Sequence, residues 1–115
     1  MSFIRGGIYL ANLNPSRGAE IGKIRPVLVI QSNGLNSIKH PTVNILSLTT
    51  NLKNNTFLHF RVNKRDELKH NSDIVCDYIH AIDSSKFTSS ILTQLSKNEM
   101  QQIEEKLSWI LGFND

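Results

Sequence analysis

Glu20 is the only acid among the first 65 residues, and it stands among Arg17, Lys23 and Arg25 in a polar stretch running from Asn14 to Pro26. Pro26 disfavours helical geometry at Arg25, so Arg25 is expected at the mouth of the apolar run that follows. A guanidinium held there can fork two oxygens of a phosphate. An ordinary loop ion pair between Glu20 and Arg25 is the competing reading of the same spacing, and it would contribute little.

Charge is unevenly distributed. Residues 1–72 carry ten Lys/Arg against three acids, a net of +7, while residues 73–115 carry three against seven, a net of −4. The basic part suits a polyanionic partner, nucleic acid or an acidic protein segment. A soluble face with ordinary scatter gives the same sums. His40, His59, His70 and His80 form no HExxH or HxH pair, and Cys76 is the single cysteine. The expectation is therefore no metal, no cofactor and no disulfide.

The elements that must position these groups read as follows. Gly7–Leu13 alternates as a strand, with Ile8 and Leu10 on one face, and Asn14–Gly18 is turn chemistry. Pro26–Gln31 is a β-branched run suited to burial on both faces, closed by Ser32-Asn33-Gly34. Thr42–Thr49 predicts a third strand, Asn51–Asn55 a turn, and Phe57–Val62 a fourth strand with Leu58, Phe60 and Val62 opposite His59 and Arg61. Ile74–Cys76 and Tyr78–Ile82 predict two shorter strands, with His59 and His80 at the surface and Tyr78 half-buried or offered to a base. Ser96 and Glu99 form a capping-box pattern ahead of Met100, Ile103, Leu107, Ile110 and Leu111 at helical spacing, and Gly112 sits where a C-cap glycine belongs. Trp109 is expected to pack within this helix.

The 115 residues and 13.0 kDa suit a single domain over 1–115, mainly β with a C-terminal helix covering a small barrel-like sheet. The longest apolar run, Val27 to Ile30, is far short of a membrane span, and Met1–Arg5 carries no apolar signal core. A cytoplasmic protein with no membrane partner is expected.

Arg5-Gly6-Gly7-Ile8-Tyr9-Leu10-Ala11-Asn12-Leu13-Asn14-Pro15, Gly18-Ala19-Glu20 and Gly22-Lys23-Ile24-Arg25-Pro26-Val27-Leu28-Val29-Ile30-Gln31 closely resemble the MazF/PemK/Kid family of toxin endoribonucleases. The likeness continues through Ile45–Thr49, Ser72, Ile82-Asp83 and the helix. It implies an SH3-like β-barrel of the CcdB/MazF toxin type and metal-independent cleavage of single-stranded RNA. It also implies homodimers and neutralisation by a cognate antitoxin, whose acidic, partly disordered tail suits a basic groove. Arg25 and Thr49 match the family's catalytic arginine and hydroxyl, and Glu20 a loop acid near the scissile phosphate. The chemistry assigns Glu20 as base for the 2′-hydroxyl, Arg25 as stabiliser of phosphorane charge and transient acid, and Thr49 as positioner. Arg17, Lys23 and Pro26 from the loop, with Lys53, His59 and Arg61, are the expected RNA contacts. Tyr78 and His80 join them, although the family commonly has Gln and Arg there. Gly7 replaces a frequent Asp, which reads as a harmless change. Two alternatives accompany this reading. One is a topoisomerase poison of the CcdB kind, binding through Trp109 and Gly112–Asp115. The other is an RNA-binding relative without catalysis.

Overall fold

The computed structural model describes residues 2–14, 23–54 and 57–115. Arg17 and Glu20, and the Asn55 end of the expected turn, lie outside the described residues. Six strands form one antiparallel sheet: β1 (Gly7–Asn12), β2 (Ile24–Val29), β3 (Thr42–Thr49), β4 (His59–Val62), β5 (Ser72–Asp83) and β6 (Thr93–Gln94), in the order β4-β5-β3-β2-β1-β6. A short helix, α1 (Asn33–Ser37), follows β2, and α2 (Lys97–Ile110) closes the chain against β5. The expected half-barrel with a C-terminal helix is the fold.

Alternation sorts the strands' side chains onto two faces. Ile8, Leu28, Leu46, Leu48, Val62, Ile74 and Cys76 point inward and pack against Met100, Ile103 and Leu107 of α2. Tyr9, Ala11, Leu13, Val27, Val29, Val43 and Ile45 line the other face and pack with Phe87, while Phe3 stacks on Phe87 at 4.3 Å. Val27, Leu28 and Val29 are all fully buried, as expected for a strand covered on both sides.

Several expectations need correction. The chain from Ser72 to Asp83 is one long strand, not two. Its pairing with β3 jumps from Leu48↔Ile74 to Leu46↔Ile79, so Val75 to Tyr78 bulge opposite a single β3 residue, Ser47. That bulge interrupts the alternation and hides the strand's continuity. Ser32 does not merely end β2: its side chain accepts from the Leu35 amide and caps α1. Trp109 is 64% exposed, its ring edge-on to exposed Phe57 at 4.7 Å, so it does not pack into the core. Leu111 is also exposed, and the helix's buried stripe is Met100, Ile103 and Leu107. Gly7 is not a neutral change, because a Cβ there would lie 2.8 Å from the Tyr9 ring.

The capping box is present in full: Glu99 N–H donates to Ser96 Oγ, and Ser96 N–H to Glu99 Oε1. At the other end Gly112, at φ 72°, allows Phe113 N–H to reach Ser108 O, a Schellman closure.

Candidate active site

Arg25 sits near the start of β2, opposite Ala11 of β1. β2 and β3 pair with Val29 opposite Ile45, Leu28 opposite Leu46 and Val27 opposite Ser47. That pairing ends at Val27↔Ser47, and Arg25 and Thr49 lie two residues beyond it on their own strands, on the face of Val27 and Ser47. Thr49 in turn is opposite Asp73 of β5, and Asp73 is opposite Arg61 of β4. Residues directly opposite across antiparallel strands share a face. Thr49, Asp73 and Arg61 therefore form one row across the sheet, a hydroxyl, a carboxylate and a cation, with Arg25 on the same face of β2.

Both ends of this row are half-exposed or exposed, and its centre is buried. Thr49 is half-buried, and its Oγ1 accepts a hydrogen bond from the Asn51 amide at 3.1 Å. With the oxygen engaged as acceptor, the Thr49 proton is left to donate outward. Asp73 is 1% exposed. It accepts from Arg61 Nε, and from the Lys53 amide at 2.9 Å. Burial alone would raise the Asp73 pKa, but hydrogen bonds from Arg61 and the Lys53 amide and the Arg61 charge outweigh it, and the net direction is downward. The same pair raises the Arg61 pKa.

The expected RNA contacts divide. Lys23 is exposed at φ 71°, its amide bonded to Asn14 Oδ1 and its carbonyl to the Leu13 amide, so Lys23 is tied to the end of β1. Lys53 is exposed. Arg61 is committed to Asp73, which weakens the expectation that it reads RNA. His59 was expected at the surface, yet its side chain is only 14% exposed, with Nδ1 buried 3.6 Å from Asp73 Oδ2. Alternation places it on the Asp73 side of β4, under the row's end, and the packing there covers it. Tyr78 and His80, two apart on β5, stack at 4.5 Å with 17° between their planes, both half-buried. His80 is opposite Ile45, on the face that carries Thr49. Pro26 points the other way and, with Leu10, Leu68, Ile91 and Thr50, lines a cleft of about 450 Å³. Among the described residues no three His, Cys, Asp or Glu are grouped as metal ligands.

Sequence reasoning missed Asp73 and Asn51. Asp73 sits at the head of an apolar run, Ile74-Val75-Cys76, where an acid is out of place unless paired, and that was the available signal. Asn51 acts through its backbone, which no side-chain pattern announces.

A half-barrel bearing this cation-and-hydroxyl row has the architecture of the small β-barrel toxins. The chain belongs to the PemK-like, MazF-like toxins of type II toxin–antitoxin systems, whose family model matches residues 4–111. It is 33% identical over 113 residues to the protein named Endoribonuclease MazF of Staphylococcus epidermidis, covering 96% of this chain and 92% of that one. Among solved structures it superposes on MazF from Deinococcus radiodurans with a TM-score of 0.81 at 17% identity, covering 97% of this chain and 98% of that one. It also superposes on the MazE-MazF structure (Form-II) from the same organism, with a TM-score of 0.78 at 18% identity, covering 99% of each chain. A mycobacterial endoribonuclease in complex with its cognate antitoxin gives 0.71 at 20% identity, covering 96% of this chain and 94% of that one. No helix among the described residues is long and apolar enough to cross a membrane.

Proposed function

We propose that this protein is the toxin of a type II toxin–antitoxin pair and a metal-independent, sequence-selective endoribonuclease acting on single-stranded RNA in the cytoplasm. The reading is supported by Arg25 and Thr49 lying on one face of the paired strands β2 and β3 in a chain of this family. The ribose 2′-oxygen attacks the adjacent phosphorus while its proton passes to Glu20. The bond to the 5′-oxygen breaks, leaving a 2′,3′-cyclic phosphate and a 5′-hydroxyl. Arg25 bears the charge that gathers on the phosphoryl oxygens, and it lends a proton to the departing oxygen as charge develops there. The Thr49 hydroxyl, oriented by the Asn51 amide, donates to a non-bridging oxygen.

Bases of the RNA lie along the face that carries Arg25 and Thr49, the side away from the cleft at Pro26. Tyr78 and His80 supply an aromatic step for a base. A homodimer joins two such faces into one groove, and an acidic antitoxin tail competes with RNA for it.

The test is to sequence RNA ends after incubating a mixed-sequence RNA pool, in EDTA, with wild type and with Arg25→Ala. Cyclic-phosphate or 3′-phosphate and 5′-hydroxyl ends at a recurrent motif, lost in the variant, support the proposal. Cleavage that requires added metal, or full activity in Arg25→Ala, overturns it.

A further inference from the structure

Among the described residues Asp73 is the only carboxylate in the buried class, and it is buried beside, not within, the reacting groups. A buried charge is costly unless fully partnered. Besides His59 Nδ1 at 3.6 Å, Asp73's partners converge on one residue: its Oδ2 accepts the Lys53 amide at 2.9 Å, while Arg61, held by Asp73, donates from Nη2 to the Lys53 carbonyl at 3.2 Å. Both backbone groups of Lys53 are thus gripped by one ion pair. Lys53 lies four residues beyond Thr49, in a segment without regular secondary structure. Asp73 is itself directly opposite Thr49 on the sheet. The segment from Thr49 to Lys53 therefore leaves the sheet at one end of the row and is brought back to the same residue. Inside that turn the Asn51 amide holds Thr49 Oγ1.

We propose that Asp73, with Arg61, is a positioning residue: it closes the Thr49–Lys53 turn and so aims the Thr49 hydroxyl at the scissile phosphate. The role rests on the nuclease reading above. It assigns Arg61 to the protein's own scaffold instead of to RNA. It also explains why an acid is kept at the head of an otherwise apolar strand, where a well-packed apolar residue would stabilise the fold as well or better.

The test uses Asp73→Val, the nearly isosteric Asp73→Asn, Arg61→Gln, Thr49→Ala and the Thr49→Ala/Asp73→Val double variant. Amide exchange is measured at Asn51 and Lys53, with α2 amides as internal reference. Single-turnover cleavage and RNA binding are measured on the same pool. Asp73→Val is expected to speed exchange at both amides about tenfold with α2 unchanged. Cleavage should slow by about ten- to a hundredfold, the scale of a misplaced catalytic group, with RNA affinity within about threefold. Asp73→Asn and Arg61→Gln should fall between, and keep the role testable should the valine variant fail to fold. The double variant should cut no more slowly than Thr49→Ala, because both changes act through one hydroxyl. Wild-type cleavage at normal rate in the Asp73 variants, or rate losses that multiply in the double variant, overturns the positioning role alone. RNA left uncut by the wild-type protein overturns the nuclease reading and this role with it.

Discussion

Thr49 and Asp73 face each other across the β3–β5 ladder, one half-buried and the other 1% exposed. The alcohol is a donor in waiting, because its oxygen already takes the Asn51 amide. The carboxylate is stripped of water but fully engaged.

Thr49→Val removes the hydroxyl with little change in shape. Cleavage should fall about a hundredfold, the scale seen when one preorganised donor to a developing charge is deleted. Thr49→Ser retains the hydroxyl and should recover most of the rate. Single-turnover gel assays check both.

Acid should unfasten the Asp73 pair. The native carboxyl titrates below the ordinary Asp value of about 3.9. Its contribution to stability is therefore complete above about pH 4 and is lost as pH falls through the lowered native value. The urea midpoint of wild type should drop below that pH. Asp73→Asn should start from a lower midpoint and show a flatter acid limb.

Cys76 is fully buried, and burial pushes its thiol up to about 12. Alkylation at pH 8 should be roughly a thousandfold slower in the native protein than in urea. Mass spectrometry of the modified peptide reads this directly.

Phe57 and Trp109 form an exposed pair flanking a cavity of about 410 Å³ on the α2 side, with Phe113 beyond the helix end 72% exposed. Deleting Phe113 to Asp115 should leave both RNA cleavage and growth arrest intact. Lost toxicity with cleavage preserved would favour a topoisomerase-binding toxin.

Ser96→Ala removes one half of the capping box and should cost about 1 kcal/mol, or roughly 4 °C in Tm. Differential scanning calorimetry measures it.

Local chemistry made some elements legible in the sequence. Thr42–Thr49 coincides with β3, and Ser96 caps α2 as its pattern implied, because alternation and caps are decided within a few residues. The half-barrel followed from those short signals and from the family likeness. What could not be read depended on distant partners. The β5 bulge is a shift in pairing against β3, between Leu48↔Ile74 and Leu46↔Ile79, and no local signal marks it. His59 lay on the polar side of its strand, as expected, but only the fold shows that its side chain is 14% exposed beside Asp73. Arg61 read as an RNA contact, and its ion pair with Asp73 joins positions twelve apart in the chain that only the fold brings together.

One consequence concerns the outer margin of β1. β6 pairs with it at only two positions, Gly7↔Gln94 and Ile8↔Thr93. Yet the irregular chain before β6 returns to it repeatedly: Thr88 N–H meets Leu10 O, Leu92 N–H meets Ile8 O, and Ser89 Oγ takes the Leu10 amide. Among the described residues the Leu10 amide and the Ile8 and Leu10 carbonyls on that margin are thus already taken, which leaves little of it to template a strand from another copy.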